Sequence, residues 1–278
     1  MNKESNVKKL IGVVSGKGGV GKSSITSLLA VNAMKQGLKV GILDADITGP
    51  SIPQAFGITD KATGTDTAIN PVLSKNGIKV ISVNALLEDA TDPVVWRGPL
   101  LGGVIQQFWN DTVWGDIDVM FVDMPPGTGD VALTVFQSLP VDGIVIVTSP
   151  QQLVSMIVEK AVKMAKMMDV PIVGIVENMS YFKCPNCNEK HHIFGNSHVT
   201  EVAKKYDINE IAELALDMEV ADACDRGDIE SVERPELDSL VNACLEAENP
   251  NKHDGMPEAP EGCTHDCSTC SADCSSRQ

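Results

Sequence analysis

Residues Gly16, Lys17, Gly18, Gly19, Val20, Gly21, Lys22 and Ser23 follow directly on the apolar run Leu10-Ile11-Gly12-Val13-Val14. An apolar run, a glycine-rich turn and a Lys-Ser pair opening a helix make up a phosphate-binding loop in its required context. The glycines let backbone N–H groups curl around an anion with no Cβ in the way. Lys22 can reach the β- and γ-phosphates of a nucleotide, and Ser23 can ligate Mg²⁺. The first N–H groups of the helix, including that of Ser24, add its positive dipole end. Lys17 puts a second cation inside the loop.

Two aspartates extend this chemistry. Asp46 closes Leu43-Asp44-Ala45-Asp46, at the end of a predicted strand, with Ile47-Thr48-Gly49-Pro50-Ser51 after it. A carboxylate there can accept a proton from water or hold water in line. Asp123 ends another predicted strand and opens Asp123-Met124-Pro125-Pro126-Gly127-Thr128-Gly129-Asp130. It suits Mg²⁺, directly or through a ligand, and the Gly127 N–H suits a γ-phosphate. Asn178, in Val176-Glu177-Asn178-Met179, follows a further strand. Its amide both donates and accepts, which suits a base edge or an Asx turn.

The eight cysteines fall into three groups. Cys184-Pro185-Asn186-Cys187 supplies two thiolates, whereas a tetrahedral metal or a cubane cluster needs four ligands. Two copies of the chain about a two-fold axis would supply four. Zinc completed by His191 or His192 within one chain, and a redox dithiol, are the alternatives. The two histidines otherwise read as solvated loop residues. Cys263, Cys267, Cys270 and Cys274 lie within the last sixteen residues of the sequence and form a thiolate-only metal set for [4Fe–4S] or zinc. Cys224 and Cys244 sit at apolar helical positions and read as core.

With Lys17 after its first glycine, the loop resembles the deviant form of the nucleotide-switch ATPases, which include MinD, ParA and the nitrogenase iron protein. That loop, the Asp123–Asp130 segment, Trp96-Arg97-Gly98-Pro99 and a CxxC after Asn178-Met179 together resemble the Mrp/ApbC family of iron–sulfur cluster carriers, over roughly Val7 to Leu245. The resemblance implies a P-loop NTPase fold and an ATP-hydrolysing homodimer. It implies a [4Fe–4S] cluster shared through Cys184 and Cys187 of each copy, with a cluster-assembly scaffold and apo iron–sulfur proteins as partners. It further implies that Lys17 reaches the partner's nucleotide, that Asp46 orients the attacking water and that Asn178 reads adenine. The C-terminal cysteine segment is not part of the core family pattern.

Two other classes fit less well. A MinD-like positioning protein needs a basic amphipathic C-terminal helix, and this chain ends in acidic, proline-rich and cysteine-rich sequence. The nitrogenase iron protein carries a cluster cysteine after the Asp123 segment, and 130–139 contains none.

The elements that must position these residues are legible as alternation. Predicted strands at Leu10–Ser15, Val40–Leu43, Lys79–Val83, Val119–Asp123, Gly143–Thr148 and Ile172–Val176 are continuous and β-branched, as strands buried on both faces are. Helical spacing links Ile25, Leu28, Leu29, Asn32 and Ala33, and again Val154, Ile157, Val158, Ala161, Val162 and Ala165. Later helices are predicted at Val199–Lys205, Met218–Cys224 and Leu237–Glu246. The fold class is α/β, a doubly wound and mostly parallel sheet with helices on both faces and ligands at the carboxyl ends of the strands. The ATPase domain is expected over 1–248, a Pro/Gly linker over 249–262 and the cysteine-rich tail over 263–278.

Composition sets the bounds. The 278 residues are 43% hydrophobic and 4% aromatic, so the core must come chiefly from aliphatic side chains. A formal charge of −16 repels phosphate backbones and anionic lipid, which argues against nucleic-acid or membrane partners. The polar start, Met1 to Lys9, does not read as a signal peptide, and a cytoplasmic location is expected.

Overall fold

The computed structural model describes residues 1–46, 51–65, 68–82, 98–150, 154–195 and 197–252. Trp96, Arg97, the segment 47–50 and the four tail cysteines lie outside the described residues.

Strand β1 (Asn6–Ser15) is central. It pairs in parallel with β7 (Asp116–Asp123) on one side and β8 (Gly143–Thr148) on the other. Beyond β7 come β2 (Val40–Asp44) and β6 (Lys79–Ser82), and beyond β8 come β9 (Ile172–Lys183) and β11 (Glu210–Ala215), all parallel. Short antiparallel strands finish the edges: β5 (Val72–Leu73) on β6 and β10 (Lys190–His191) on β9. A separate hairpin joins β3 (Thr63–Thr65) to β4 (Ala68–Asn70).

The predicted strands stand where alternation put them, and three of them run further. β1 and β7 begin earlier than predicted, and β9 runs seven residues past Val176. Two packed layers cover the sheet. On one face, helices α1 (Lys22–Lys35), α2 (Ser51–Ala55), α7 (Met218–Arg226) and α8 (Asp238–Glu246) pack on Ile11, Val13, Ile42 and Val145. On the other, α3 (Gly98–Asp111), α4 (Asp130–Ser138), α5 (Val154–Met167) and α6 (Val199–Tyr206) pack on Leu10, Val14, Leu43 and Ile144. Alternate residues of one strand thus feed the two cores, as the period of two requires.

The core is aliphatic as composition demands, although Trp114, Phe108 and Phe121 are among its largest fully buried side chains. No described helix is long and apolar enough to cross a membrane. Residues just after α8 are tied to the body: Asn249 Nδ2 donates to the Val141 carbonyl (2.9 Å) and Lys252 Nζ pairs with Asp142 (2.9 Å).

Candidate functional site

The loop between β1 and α1 is built on left-handed glycines. Gly19 and Gly21 have φ of 81° and 82°, a region that L side chains seldom enter. Gly21 is the N-cap of α1, and its carbonyl accepts from Ile25 N (2.9 Å). A Cβ on Gly21 would stand 2.3 Å from Asn178 Nδ2, so conformation and space both require glycine there. Helix α1 has no side-chain cap and no acidic residue in its first turn, which leaves its leading N–H groups for an anion. Its fixed position comes from burial on nearly every side rather than along one stripe. The polar Asn32 is accommodated by donating to the Arg234 carbonyl and to Asp238 Oδ1.

Lys22 and the two strand-end aspartates meet. Lys22 Nζ lies 2.7 Å from Asp123 Oδ1 and 3.2 Å from Asp46 Oδ2. Asp123, fully buried, also accepts from Ser23 Oγ (2.6 Å) and Thr26 Oγ1 (2.8 Å). A third carboxylate, Asp44, is the cross-strand partner of Asp123, at the ends of β2 and β7. It accepts from Ser82 Oγ (2.8 Å) and from the Asp46 N–H (3.1 Å). Three carboxylates around one ammonium leave an excess of negative charge beside the phosphate loop, which suits a divalent cation held through Ser23 and Asp123.

Burial, reinforced by the Asp123 charge, pushes the Asp44 carboxyl well above the usual carboxylate range. Above the unfolded value of about 3.9 the folded protein therefore holds more protons than the unfolded chain, and stability falls as pH rises through the folded value. Asp44→Asn is expected to raise Tm at neutral pH relative to the parent, with the gain vanishing below about pH 4. Thermal melts of both proteins across that range test this, and equal melting at all pH values would contradict it.

Asn178 reaches the loop from the other side. Along β9 the pairing with β11 slips between Glu177 and Tyr181, and Met179 sits there at φ 58°. This bulge turns the Asn178 amide inward, where Nδ2 donates to the Val20 carbonyl (2.9 Å). Beside it opens a cleft of about 200 Å³ lined by Gly21, Ser24, Leu28, Asn178, Leu216 and Arg234. Gly127 (φ 93°) donates its N–H to the Ser15 carbonyl (2.8 Å), tying the segment after β7 to the root of the loop. Lys17 is half-buried in the bend that opens the loop.

Cys184 and Cys187 occupy a tight hairpin between β9 and β10. Cys184 N donates to the Glu189 carbonyl and Asn188 N to the Cys184 carbonyl, both at 2.9 Å. The Cys184 thiol is held below its ordinary value by the backbone N–H of Cys187, then that of Asn186, then the Cys187 side chain. Donors aimed at one sulfur favour the thiolate, the form that ligates metal. Because β9 runs parallel to β1 and extends past it, the hairpin stands at the same carboxyl edge as the phosphate loop. Exposed Phe182, Ile193 and Phe194 flank it.

Of the remaining cysteines, Cys244 is fully buried, and burial pushes its thiol up. Cys224 packs at the margin of the core rather than inside it. It is half-buried and shares a hydrogen bond with Ser24 of α1. Reading by motif passed over Asp44, Thr26, Asp217 and Arg234. Asp44 had a signal in its strand-end position, and Thr26 in standing one helical turn after Lys22. Arg234, paired with Asp217 (2.6 Å), reaches the cleft only through the fold.

A phosphate loop at the carboxyl end of the central strand, with strand-end carboxylates closing on its lysine, defines a P-loop nucleotide-binding protein of the NTPase class. A family model described as ParA, NUBPL iron-transfer P-loop NTPase, matches residues 6–247, and the chain belongs to that family. An iron-sulfur cluster carrier protein of Clostridium perfringens is 46% identical over 233 residues, which span 81% of this chain and 82% of that protein. A solved nucleotide-binding protein from Archaeoglobus fulgidus, in complex with ADP and with Co found by PIXE, is 44% identical with a TM-score of 0.77, covering 84% of this chain and 92% of that one. The MinD cell division protein of Aquifex aeolicus, 17% identical with a TM-score of 0.61 over 86% of this chain and 95% of its own, shares the fold.

Proposed function

We propose that two copies of this chain share a [4Fe–4S] cluster through Cys184 and Cys187 of each, and that ATP binding and hydrolysis control the pairing that holds it for transfer to apo iron–sulfur proteins. The observation that carries this reading is the cysteine hairpin at the carboxyl edge, on the side of the molecule that bears the phosphate loop. One chain offers two thiolates there, a cubane cluster takes four, and a two-fold pair facing through that edge supplies them. The kinship with curated iron–sulfur carriers supports the cargo, and the ADP complex of the Archaeoglobus relative supports the nucleotide.

In this reading Gly16, Gly18, Gly19, Val20, Gly21 and Ser24 wrap the phosphates with backbone N–H groups, and Lys22 exchanges its carboxylate partners for phosphate oxygens. Ser23 and Asp123 hold Mg²⁺, which neutralises charge on the phosphates when bound. Asp46 orients the attacking water. Gly127 gives up the Ser15 carbonyl for the γ-phosphate, so the segment after β7 senses the nucleotide state. Lys17 crosses to the partner's nucleotide, a cation delivered only on pairing. Asn178 and the cleft beside it take the base. The tail cysteines Cys263, Cys267, Cys270 and Cys274 form a second metal site, iron–sulfur or zinc. Thiolate chemistry of this kind belongs in a reducing, cytoplasmic compartment, with the cluster-assembly scaffold as donor.

Iron, zinc and acid-labile sulfide analysis of anaerobically reconstituted protein, full-length and truncated after residue 252, tests the proposal. One cluster per pair of chains should survive truncation, and the mass in solution should shift between single and paired chains with ATP. Absence of iron from the truncated protein, or a single-chain mass under every nucleotide condition, would overturn it.

A further inference from the structure

The second arm of the cysteine hairpin carries a ligand set that the shared cluster does not use. Cys187 ends the turn, left-handed Asn188 (φ 60°) redirects the chain after it, and Glu189 and His191 follow on the returning arm. Their ligand atoms all lie within 4.8 Å of one another, and all three residues are exposed. The intervening Lys190 is turned away, its Nζ 4.0 Å from the centre of the Tyr181 ring, so its charge does not oppose a cation at the trio. His192 is engaged elsewhere, with Nδ1 3.2 Å from the Ser180 carbonyl oxygen. Of the two histidines, only His191 joins the set.

Ligand atoms around a tetrahedral zinc stand about 3.5 Å apart, as metal–ligand distances of about 2.0–2.3 Å require. The present spacing, up to 4.8 Å, exceeds that only modestly, and the hairpin that carries the trio is already fixed by backbone hydrogen bonds. The donor types are one sulfur, one imidazole nitrogen and one carboxylate oxygen. Mg²⁺ and Ca²⁺ take oxygen, and a cubane cluster takes thiolates, whereas this mixture suits a borderline divalent ion. We infer that a single chain binds one divalent ion of the zinc or cobalt class through Cys187, Glu189 and His191, with the neighbouring Cys184 thiolate closing the fourth position.

The site stands whether or not a cluster is shared between chains. Its consequence rests on the shared-cluster reading: both cysteines cannot serve the single-chain ion and the bridging cluster together, so the two cargoes exclude each other. Glu189 and His191 belong to the single-chain set alone, which lets the two be separated.

Reduced, metal-free, full-length protein is titrated with Co²⁺ and then Zn²⁺, with the bound ion counted and the His191 ring resonances followed by NMR. The tail cysteines contribute equally to every variant. The parent should bind one ion per chain that shifts the His191 ring, and His191→Ala should weaken that ion by more than about a hundredfold, beyond what loss of an outer partner costs. Glu189→Gln should weaken it in the same direction. Half an ion per chain, insensitive to His191→Ala, would mean four cysteines from two chains and would overturn the site. No ion beyond the tail would overturn it also. Zinc-loaded parent should then fail to take up the bridging cluster, while His191→Ala takes it up with zinc present; equal uptake by both defeats the exclusion. A His191-dependent ion in a protein that never forms a cluster upholds the site and removes the shared-cluster reading instead.

Discussion

Lys22→Ala is expected to lower nucleotide turnover by at least about 10²–10³-fold, the usual loss for one charge-stabilising donor at a reacting group. It should also destabilise the ligand-free protein. The Lys22 ammonium is nearly buried and lies against Asp123 and Asp46, with Asp44 one strand away. Breaking a buried ion pair by removing one partner costs about 3–5 kcal/mol, because the other charge is left without compensation. Here the lower end is expected, about 3 kcal/mol, since Ser23 and Thr26 hydroxyls still donate to Asp123. Urea denaturation at neutral pH measures it, and the loss should shrink in acid as the stranded carboxylates take up protons. A variant as stable as its parent would show that the phosphate lysine is not the counter-ion that holds this cluster of aspartates together. Lys22→Arg keeps the charge but not the compact ammonium, so it should recover more stability than turnover.

The parts of this arrangement that could be read from sequence are those set by local pattern. A continuous apolar run such as Leu10–Val14 reads as a strand buried on both faces, and a glycine-rich turn that ends in Lys-Ser before a helix reads as an anion cradle, so the outline of the loop is local. Asp123 and Asp46 stand out in sequence because carboxylates at strand ends share the edge on which ligands bind. Several of the misses depend on tertiary partners far along the chain. β11, Glu-Ile-Ala-Glu-Leu-Ala, contains good helix formers and becomes a strand by pairing with β9 at the sheet edge. β9 itself reads as ending at Val176, because Asn178-Met179-Ser180 has the composition of a turn. The structure keeps the strand going through a bulge, and that bulge both aims Asn178 at the loop and carries the chain on to the cysteine hairpin. Arg234 gives no sign in sequence of a place at the cleft. It arrives there because Asn32, the one polar residue of the predicted α1 stripe, holds its carbonyl.

Cys184→Ala is expected to remove the bridging cluster completely while leaving nucleotide binding intact. Truncating Cys184 leaves two thiolates per pair of chains, short of the four that a cubane cluster takes. It also removes the sulfur toward which the backbone of Asn186 and Cys187 is turned, so the surviving Cys187 has no preorganised neighbour. The nucleotide cleft should not feel the change, because Cys184 lies just past the end of β9, six positions from Asn178 and up to about 20 Å of extended backbone away. ATP affinity measured without cluster should therefore match that of the parent within about twofold, a difference of about 0.4 kcal/mol at most. The parent should differ from the variant once cluster is present. If β9 joins the two sites, cluster loading should shift ATP affinity by about 5–150-fold, the range of ordinary coupling free energies, and ATP must shift cluster affinity by the same factor. Cluster absorbance, equilibrium nucleotide titration and their combination on one anaerobic sample measure all three quantities. Retention of a full bridging cluster by Cys184→Ala would sink the assignment of the hairpin as the cargo site. A parent whose ATP affinity ignores the cluster would leave the cargo in place but cut its link to the nucleotide.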